Sequence, residues 1–337
     1  MGLYTYRCNN RVEIMNDKIS IAMAVCNGER FIAEQLDSIM QQTCIPCEII
    51  ICDDSCDDKT YAKIAPFEDK YPEIIKYFHN KQNLGVSKNF ERAISLTTGD
   101  IIFLSDQDDV WASDKIQNAK SIIDNNLPPI GVFCDSTIVD QNLRSLGYTH
   151  WGYRDFSASQ FSNINKVEKL AIFTQRVSAA GHNMAFSKEF KNIILPFPDL
   201  VACHDTWIGL VIASTSEWFL IDAELTKYRQ HQFNVSQISK NCQFKQAMYS
   251  IKNNTFAWYT ELYDELIRRI SLIDSIQPEV LELLKDRRNH SAIRAAMDCN
   301  IFKRLPLIYG EVNNKRYFKY GRGWKSVIQD LVLRNFI

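Results

Sequence analysis

No apolar run in the chain approaches the roughly 18 residues needed to span a bilayer, so no membrane-crossing helix is expected. The stretch from Met1 to Lys18 is polar and has no apolar core of the secretory-signal kind. Both absences lead to the expectation of a cytoplasmic protein, free or peripheral at the cytoplasmic membrane. An imbalance of charge is also missing. The formal net charge is −1 over 337 residues, and nothing global marks nucleic acid as a partner. Gly-x-Gly-x-x-Gly does not follow the first apolar run, and no Gly-x-x-x-x-Gly-Lys-Ser/Thr occurs, so dinucleotide and P-loop sites lose their usual signatures. Ten cysteines are present, and Cys44-x-x-Cys47 followed by Cys52-x-x-x-Cys56 invites a structural zinc. However, Glu48 to Cys52 has the composition of a buried strand, which would alternate these side chains rather than converge them. Reduced cysteines acting as small apolar residues are therefore expected.

What is present is an alternation. Hydrophobic residues make up 46% of the chain, enough for a sizeable core. Ile19 to Val25 reads as a strand broken by Cys26-Asn27-Gly28-Glu29, and Ile32, Leu36, Ile39 and Met40 then fall at helical spacing. Glu48 to Cys52 is a second strand, ending in Asp53-Asp54-Ser55, with a helix from about Thr60. Ile74 to Phe78 is a third, ending near His79-Asn80-Lys81. Asn83-Leu84-Gly85 forms a turn, Ser87 is the expected N-cap, and Phe90, Ala93 and Ile94 line the helix after it. Ile101 to Leu104 is the fourth strand. Alternation of this kind predicts an α/β fold: a mostly parallel central sheet with helices on both faces. Right-handed crossovers would bring the polar strand ends to one edge.

The fourth strand stops at Asp106, Asp108 and Asp109. Burying several unpaired carboxylates costs more than one strand's packing returns, so they belong where the strand leaves the core. Asp106 and Asp108 are hard oxygen ligands suited to Mg²⁺ or Mn²⁺; the plainer alternative is a polar turn capping the next helix. Ile116, Ala119 and Ile123 mark that helix, and Gly131 to Asp135 resumes β structure. The aromatic stretch holding Tyr148, Trp151, Tyr153, Phe156 and Phe161 fits either a substrate-facing excursion or ordinary surface loops. Gly181, in Ala179-Ala180-Gly181-His182-Asn183, lets backbone approach a ligand or simply makes a tight turn. Asp205 opens an apolar helix as an N-cap or as a general base. Two strands, Trp218 to Ile221 and Leu225 to Tyr228, lead to Arg229 and His231, which either meet a diphosphate or metal or form a polar strand exit. From about Gln243 the chain reads as helical, ending in a basic, aromatic stretch. That ending suits an anionic membrane surface or a solvated helical cap.

Taken in order, Ile-Ala-Met-Ala-Val-Cys-Asn-Gly, Ile-Ile-Ile-Cys-Asp-Asp-Ser, Asn-Leu-Gly-Val-Ser-Lys-Asn-Phe, Leu-Ser-Asp-Gln-Asp-Asp-Val-Trp, Cys-His-Asp-Thr-Trp and Tyr-Arg-Gln-His resemble the inverting family 2 glycosyltransferases. The nearest likeness is to the bacterial branch that builds O-antigen and capsule polysaccharide, including rhamnosyltransferase-like members. The resemblance spans about Ile19 to Val235. It implies a GT-A fold with a nucleotide-sugar-binding half at 18–127 and an acceptor-binding half at 128–240. These lie between an N-terminal extension at 1–17 and a helical C-terminal extension at 241–337. It places Val25, Asn27, Glu29, Asp53, Asp54, Asn83, Asp106, Gly181 and Arg229 at the donor, with Asp54 on the base. Asp106, Asp108 and His231 fall at the metal, with Asp108 the more direct ligand, and Asp205 is the catalytic base. Many members have Glu-Asp where this chain has His204-Asp205. Cys26 replaces a common tyrosine, and Cys56 departs from the usual Asp-Asp-Gly-Ser turn. The implied partners are a UDP- or dTDP-sugar, dTDP-rhamnose among them, and a glycan acceptor carried on a lipid. Two rivals make other predictions: a sugar-nucleotide-binding protein without turnover, and an isoprenoid-diphosphate enzyme, whose aspartate-rich motif would sit on a helix in an all-α fold.

Overall fold

A computed structural model describes residues 18–175, 179–234 and 255–332. The expected extension at 1–17, Val235 and the helical start at Gln243 lie outside the described residues. The chain opens with β1 (Ile19–Val25), α1 (Ile32–Met40), β2 (Glu48–Asp53), α2 (Tyr61–Lys70), β3 (Ile75–His79), α3 (Val86–Leu96) and β4 (Ile101–Ser105). A two-residue β5 (Val110–Trp111), α4 (Lys115–Asp124), β6 (Ile130–Val139) and β7 (Ser145–Thr149) follow. Next come α5 (His150–Tyr153), α6 (Ala158–Ser162), α7 (Lys166–Gln175), β8 (Met184–Ser187), α8 (Lys191–Ile194), α9 (His204–Thr215) and β9 (Glu217–Arg229).

One nine-stranded sheet carries the fold, in the order β3-β2-β1-β4-β8-β6-β9-β5, with β7 beside β6. Strands β1 to β4 are mutually parallel, and β8 runs antiparallel between β4 and β6. Successive residues of each central strand enter opposite cores, as a period of two requires. Ile21, Met23, Ile49, Ile51 and Phe103 pack on one face with Leu36 of α1 and Ile116 of α4. Ala22, Ile50, Cys52, Ile102 and Leu104 pack on the other with Phe90 of α3 and Trp207 of α9. Both faces are thus covered, and the all-α alternative is excluded by the sheet.

Four local expectations need correction. Ser87 is not the N-cap of α3. Gly85 takes that position at φ +76, a conformation that glycine adopts without strain, while Ser87 lies within the helix. The two strands expected between Trp218 and Tyr228 are one strand, β9. Its polar Asp222-Ala223-Glu224 forms an irregularity: Cys134 pairs with Ile221, and the next residue, Asp135, with Glu224. A bulge of this kind takes up extra residues without ending the strand. Trp151 and Phe161, expected on a substrate-facing excursion or on surface loops, are buried in an aromatic cluster around Phe133, with ring centres 5.7 and 5.4 Å away. Finally, part of the C-terminal helical region is internal, while Lys303, Lys315, Phe318, Lys319, Arg322, Trp324 and Lys325 of the basic and aromatic stretch stay exposed. Helices Thr255–Ile270 and Pro278–Ala295 put Leu262, Leu266, Val280 and Leu284 into the main core. Arg304, Tyr317 and Tyr320 are buried among Ile301–Asn313, Arg316–Tyr320 and Trp324–Val332.

Candidate active site at the strand ends

Because β1, β2 and β4 are parallel and in register, their last residues reach one edge. Val25 pairs with Asp53, and Met23 with Ser105. Two groups of side chains meet there.

The first group surrounds the ends of β1 and β2. Asp53 Oδ1 accepts from the backbone N–H and hydroxyl of Ser55 (2.8 and 2.6 Å), and its Oδ2 accepts from Tyr77 OH (3.0 Å). Asp54 accepts from the Gly85 N–H (2.9 Å) and the Asn80 amide. The Asn83 amide donates to the Asp54 carbonyl (3.3 Å). Asn27, at φ +52, donates its N–H to Ser55 Oγ (2.7 Å), and Glu29 lies 3.5 Å from Thr60 Oγ1. Val25 O accepts from Asp54 N and from the Asn89 side chain (2.8 and 3.1 Å). Val25, Asn27, Glu29, Asp53, Asp54 and Asn83 are therefore close neighbours. Asn89, which ties Val25 to Cys52 and Asn80, was not singled out from the sequence.

The second group is the loop after β4. Gln107 reaches back to β1, accepting from Cys26 N (2.8 Å) and donating to Cys26 O (3.0 Å). A methyl group on Gly28 would run into the Gln107 amide, so glycine there is what permits the link. β5 then pairs antiparallel with β9, which brings Arg229 under the acids. The Arg229 N–H donates to Asp109 Oδ1 (3.0 Å). Its guanidinium donates to the carbonyls of Asp108 and Gln141 (2.7 Å each) and to Glu34 (2.7 Å). It is fully buried over the Phe31 ring. In this structure Arg229 is a strut beneath the acidic loop. Asp108 Oδ2 pairs with His231 Nε2 (2.8 Å) and accepts from Asn234 (3.3 Å).

The ligating atoms that converge most closely belong to Asp106, Asp109 and His182, all within 4.8 Å of one another. Asp109 Oδ2 is buried with no hydrogen-bond partner. Burial, followed by repulsion from Asp108 and Asp205, pushes the Asp106 carboxyl up to about 7. Burial also holds the His182 imidazole well below its usual value, helped by His150, Lys115 and His204; the neutral ring is the form that ligates metals. An orphaned buried carboxylate oxygen beside a second carboxylate and a neutral imidazole fits Mg²⁺ or Mn²⁺. The set overlaps the one expected from the sequence at Asp106 and adds Asp109 and His182. Beneath it, Lys115 is buried and pushed down to about 8 by desolvation. It donates to His182 O (2.6 Å) and Thr226 Oγ1 (2.8 Å) and sits over the Trp111 ring.

Asp205 lies near enough to Asp106 to raise its affinity for a proton. It is not an N-cap: α9 begins at His204, with Cys203 in the capping position. Asp205 stands in the first turn, half-buried, where the helix dipole favours a carboxylate. His204 is stacked on Phe90, ring centres 3.9 Å apart, and its Nε2 presses against Gly181 so closely that a Cβ there would collide with it. Gly181 is thus needed for the approach of His204.

Nine strands in this order, with helices on both faces and acids at the strand ends, are the arrangement of the GT-A fold. Residues 20–193 match the family model "Glycosyl transferase family 2", and the chain belongs to that family. It is 30% identical over 238 residues to the dTDP-rhamnosyl transferase RfbG of Shigella flexneri, covering 66% of this chain and 75% of that one. Over 108 residues it is 30% identical to the UDP-Glc:alpha-D-GlcNAc-diphosphoundecaprenol beta-1,3-glucosyltransferase WfgD of Escherichia coli (32% and 42% of the two chains). Among solved structures, Staphylococcus aureus TarS 1-349 in complex with UDP-GlcNAc superposes with a TM-score of 0.52 at 16% identity, over 93% of this chain and 92% of that one. The mannosyltransferase PcManGT of Pyrobaculum calidifontis, in complex with GDP-Man and Mn²⁺, gives 0.52 at 15%, over 95% and 86%. These two likenesses establish the fold. As a member of family 2, the chain is a glycosyltransferase.

Proposed function

We propose that the enzyme moves a sugar from a UDP- or dTDP-sugar, dTDP-rhamnose foremost, to a hydroxyl of a lipid-linked glycan, inverting the anomeric centre. The placement of Asp205 carries this reading: a half-buried carboxylate in a helix first turn, near enough to Asp106 for its charge to be felt there. The names of the S. flexneri and E. coli relatives favour a deoxyhexose donor and a polyprenyl-diphosphate acceptor.

The donor's base and ribose would lie over Asn27, Asp53, Asp54 and Asn83 in the half spanning 18–127, with Asp54 facing the base. Its diphosphate would lie toward Asp106. Asp106 and Asp109 with His182 would hold a divalent cation, with Asp108 and His231 joining if their mutual bond opens; the cation supplies Lewis-acid stabilisation of the departing diphosphate. The half spanning 128–240 would present the acceptor from the α9 side. Asp205 takes the proton from the acceptor hydroxyl as that oxygen bonds to the anomeric carbon. The bond from the anomeric carbon to the diphosphate oxygen breaks, and the nucleoside diphosphate leaves with that electron pair. A single displacement needs no second catalytic carboxylate. Lys115 and Arg229 touch no reactant in this scheme; they hold the acidic loop in place.

The test is a panel of UDP- and dTDP-sugars with Mn²⁺ or Mg²⁺, read first by thermal shift and then by nucleotide release with polyprenyl-diphosphate glycan acceptors. The expected result is stabilisation by one donor and a product of opposite anomeric configuration. Retention of configuration would overturn the single-displacement scheme.

A further inference from the structure

Residues 301–332 contain two acids, Glu311 and Asp330, and both are turned inward. Glu311 is buried against His290 and Arg316 (2.8 Å to the latter). Asp330 is fully buried, taking two hydrogen bonds from Arg294 (2.7 and 3.1 Å) and one from Tyr317 OH (2.7 Å). The charge left on the outside is all positive. Lys303 and Lys319 have acidic partners in Asp298 and Asp286. Lys315, Arg322 and Lys325 are exposed with no carboxylate partner among the described residues.

The exposed sides of these helices also carry apolar side chains in helical register. On Ile301–Asn313, Phe302 (80% exposed), Leu305 and Tyr309 (68%) share one stripe, opposite the buried Arg304, Ile308 and Glu311. On Trp324–Val332, Trp324 (62%), Ile328 (57%) and Val332 recur every four residues, opposite Val327 and Asp330. Phe318 meets Trp324 edge-on at 5.5 Å. The two helices are joined by Arg304, which donates to Leu331 O (2.9 Å). Solitary exposed apolar residues are ordinary on a protein surface. Repeated aromatic and aliphatic side chains at helical spacing, on a stretch whose own two acids are buried and which carries unpaired cations, are not.

We propose that this face docks on an anionic lipid bilayer. Tryptophan, tyrosine and phenylalanine settle at the headgroup boundary, and each lysine or arginine near an anionic surface adds an attraction that salt screens. Charge complementarity selects this occupant over a neutral surface. Among the described residues no helix is long and apolar enough to cross a membrane. The inference is independent of the donor and acceptor assignments.

The test is co-sedimentation of the full chain with vesicles of phosphatidylethanolamine containing about one third phosphatidylglycerol, against pure phosphatidylcholine. Binding is expected to be at least about tenfold stronger to the anionic vesicles and to fall about tenfold as salt rises from about 0.1 to about 0.5 M. Two double variants, Trp324→Ser with Ile328→Ser and Lys315→Glu with Lys325→Glu, change exposed side chains only. Each is expected to lose about tenfold in binding with its circular-dichroism spectrum and melting temperature unchanged. Equal binding to both lipids, or binding untouched by the charge-reversal pair, would overturn the proposal. So would a lipid-free dimer that the Trp324/Ile328 variant abolishes, which would make the face a contact between copies of the chain.

Discussion

Replacing Arg229 with methionine separates two roles that the sequence alone leaves open. Methionine keeps most of the side-chain volume and removes every N–H of the guanidinium. The carbonyls of Asp108 and Gln141 then lose their 2.7 Å donors. Asp108 is buried, and its carbonyl left unsatisfied costs about 1–3 kcal/mol. Gln141 is exposed, so water replaces the donor to its carbonyl at little cost. The bond to Glu34, whose side chain is 52% exposed, is screened by solvent and is worth about 1 kcal/mol or less. The Arg229 backbone N–H to Asp109 is unaffected. The sum is a destabilisation of about 2–3 kcal/mol. With about 2.1 cal/mol/K of unfolding entropy per residue, this amounts to a fall in Tm of roughly 3–4 °C for a chain of this length. Loosening the acidic loop should also lower kcat by about tenfold or more. The assay pairs thermal or urea unfolding of the apoprotein with donor titration. A strut predicts a large stability loss without ligand. If the variant melts within about 1 °C of the parent while the KM for donor rises steeply, Arg229 meets the diphosphate directly and the reasoning fails.

Other expectations follow from the same geometry. Glu48 is buried; desolvation raises its pKa, but hydrogen bonds from Lys76, Ser20 and Thr98 outweigh it and bring the group from 4.5 to about 2. Its folded pKa being depressed, the stabilisation is complete above about pH 4.5 and is lost as pH falls toward 2. The full shift corresponds to about 3 kcal/mol, reduced by the half-exposed Lys76; Glu48→Gln should flatten the acid limb of a urea-midpoint profile over that window, and an unchanged limb would count against it. Gly181→Ala should displace the His204 ring, costing about 1–3 kcal/mol and, through the adjacent Asp205, at least about tenfold in kcat; full activity in that variant would dissociate the ring from the site. Chelation should abolish transfer, with Mn²⁺ or Mg²⁺ restoring it. Asp109→Asn should weaken metal affinity measured by calorimetry by tenfold or more, and unchanged affinity would remove Asp109 from the ligand set.

The first half of the chain was legible because β1, β2 and β4 are buried on both faces and end abruptly in polar residues. β1 matches its sequence-derived bounds, while β2 and β4 each run one residue further. Legibility failed where a local signal competed with a tertiary one. Asp222-Ala223-Glu224 has the composition of a turn, yet β9 continues through it because pairing with β6 absorbs the extra residues. Ser87 has the chemistry of a cap, but the chain reversal needs the positive φ that Gly85 supplies. At the site, Asp106, Asp108 and Asp205 stand out as acids at strand or helix ends. His182 does not, because its ring reaches the acids from a turn far along the chain. Lys115 and Glu34 were equally hidden, as each looks like an ordinary polar helix residue until β9 lays Thr226 and Arg229 beside them.

The most direct measurement of the central claim is turnover and donor affinity in Asp205→Asn, with the metal present. The amide keeps shape and hydrogen-bonding capacity but cannot accept the acceptor's proton. The account predicts a loss of kcat of at least about a thousandfold, with the donor Kd within about threefold of the parent. Turnover close to that of the parent would contradict it.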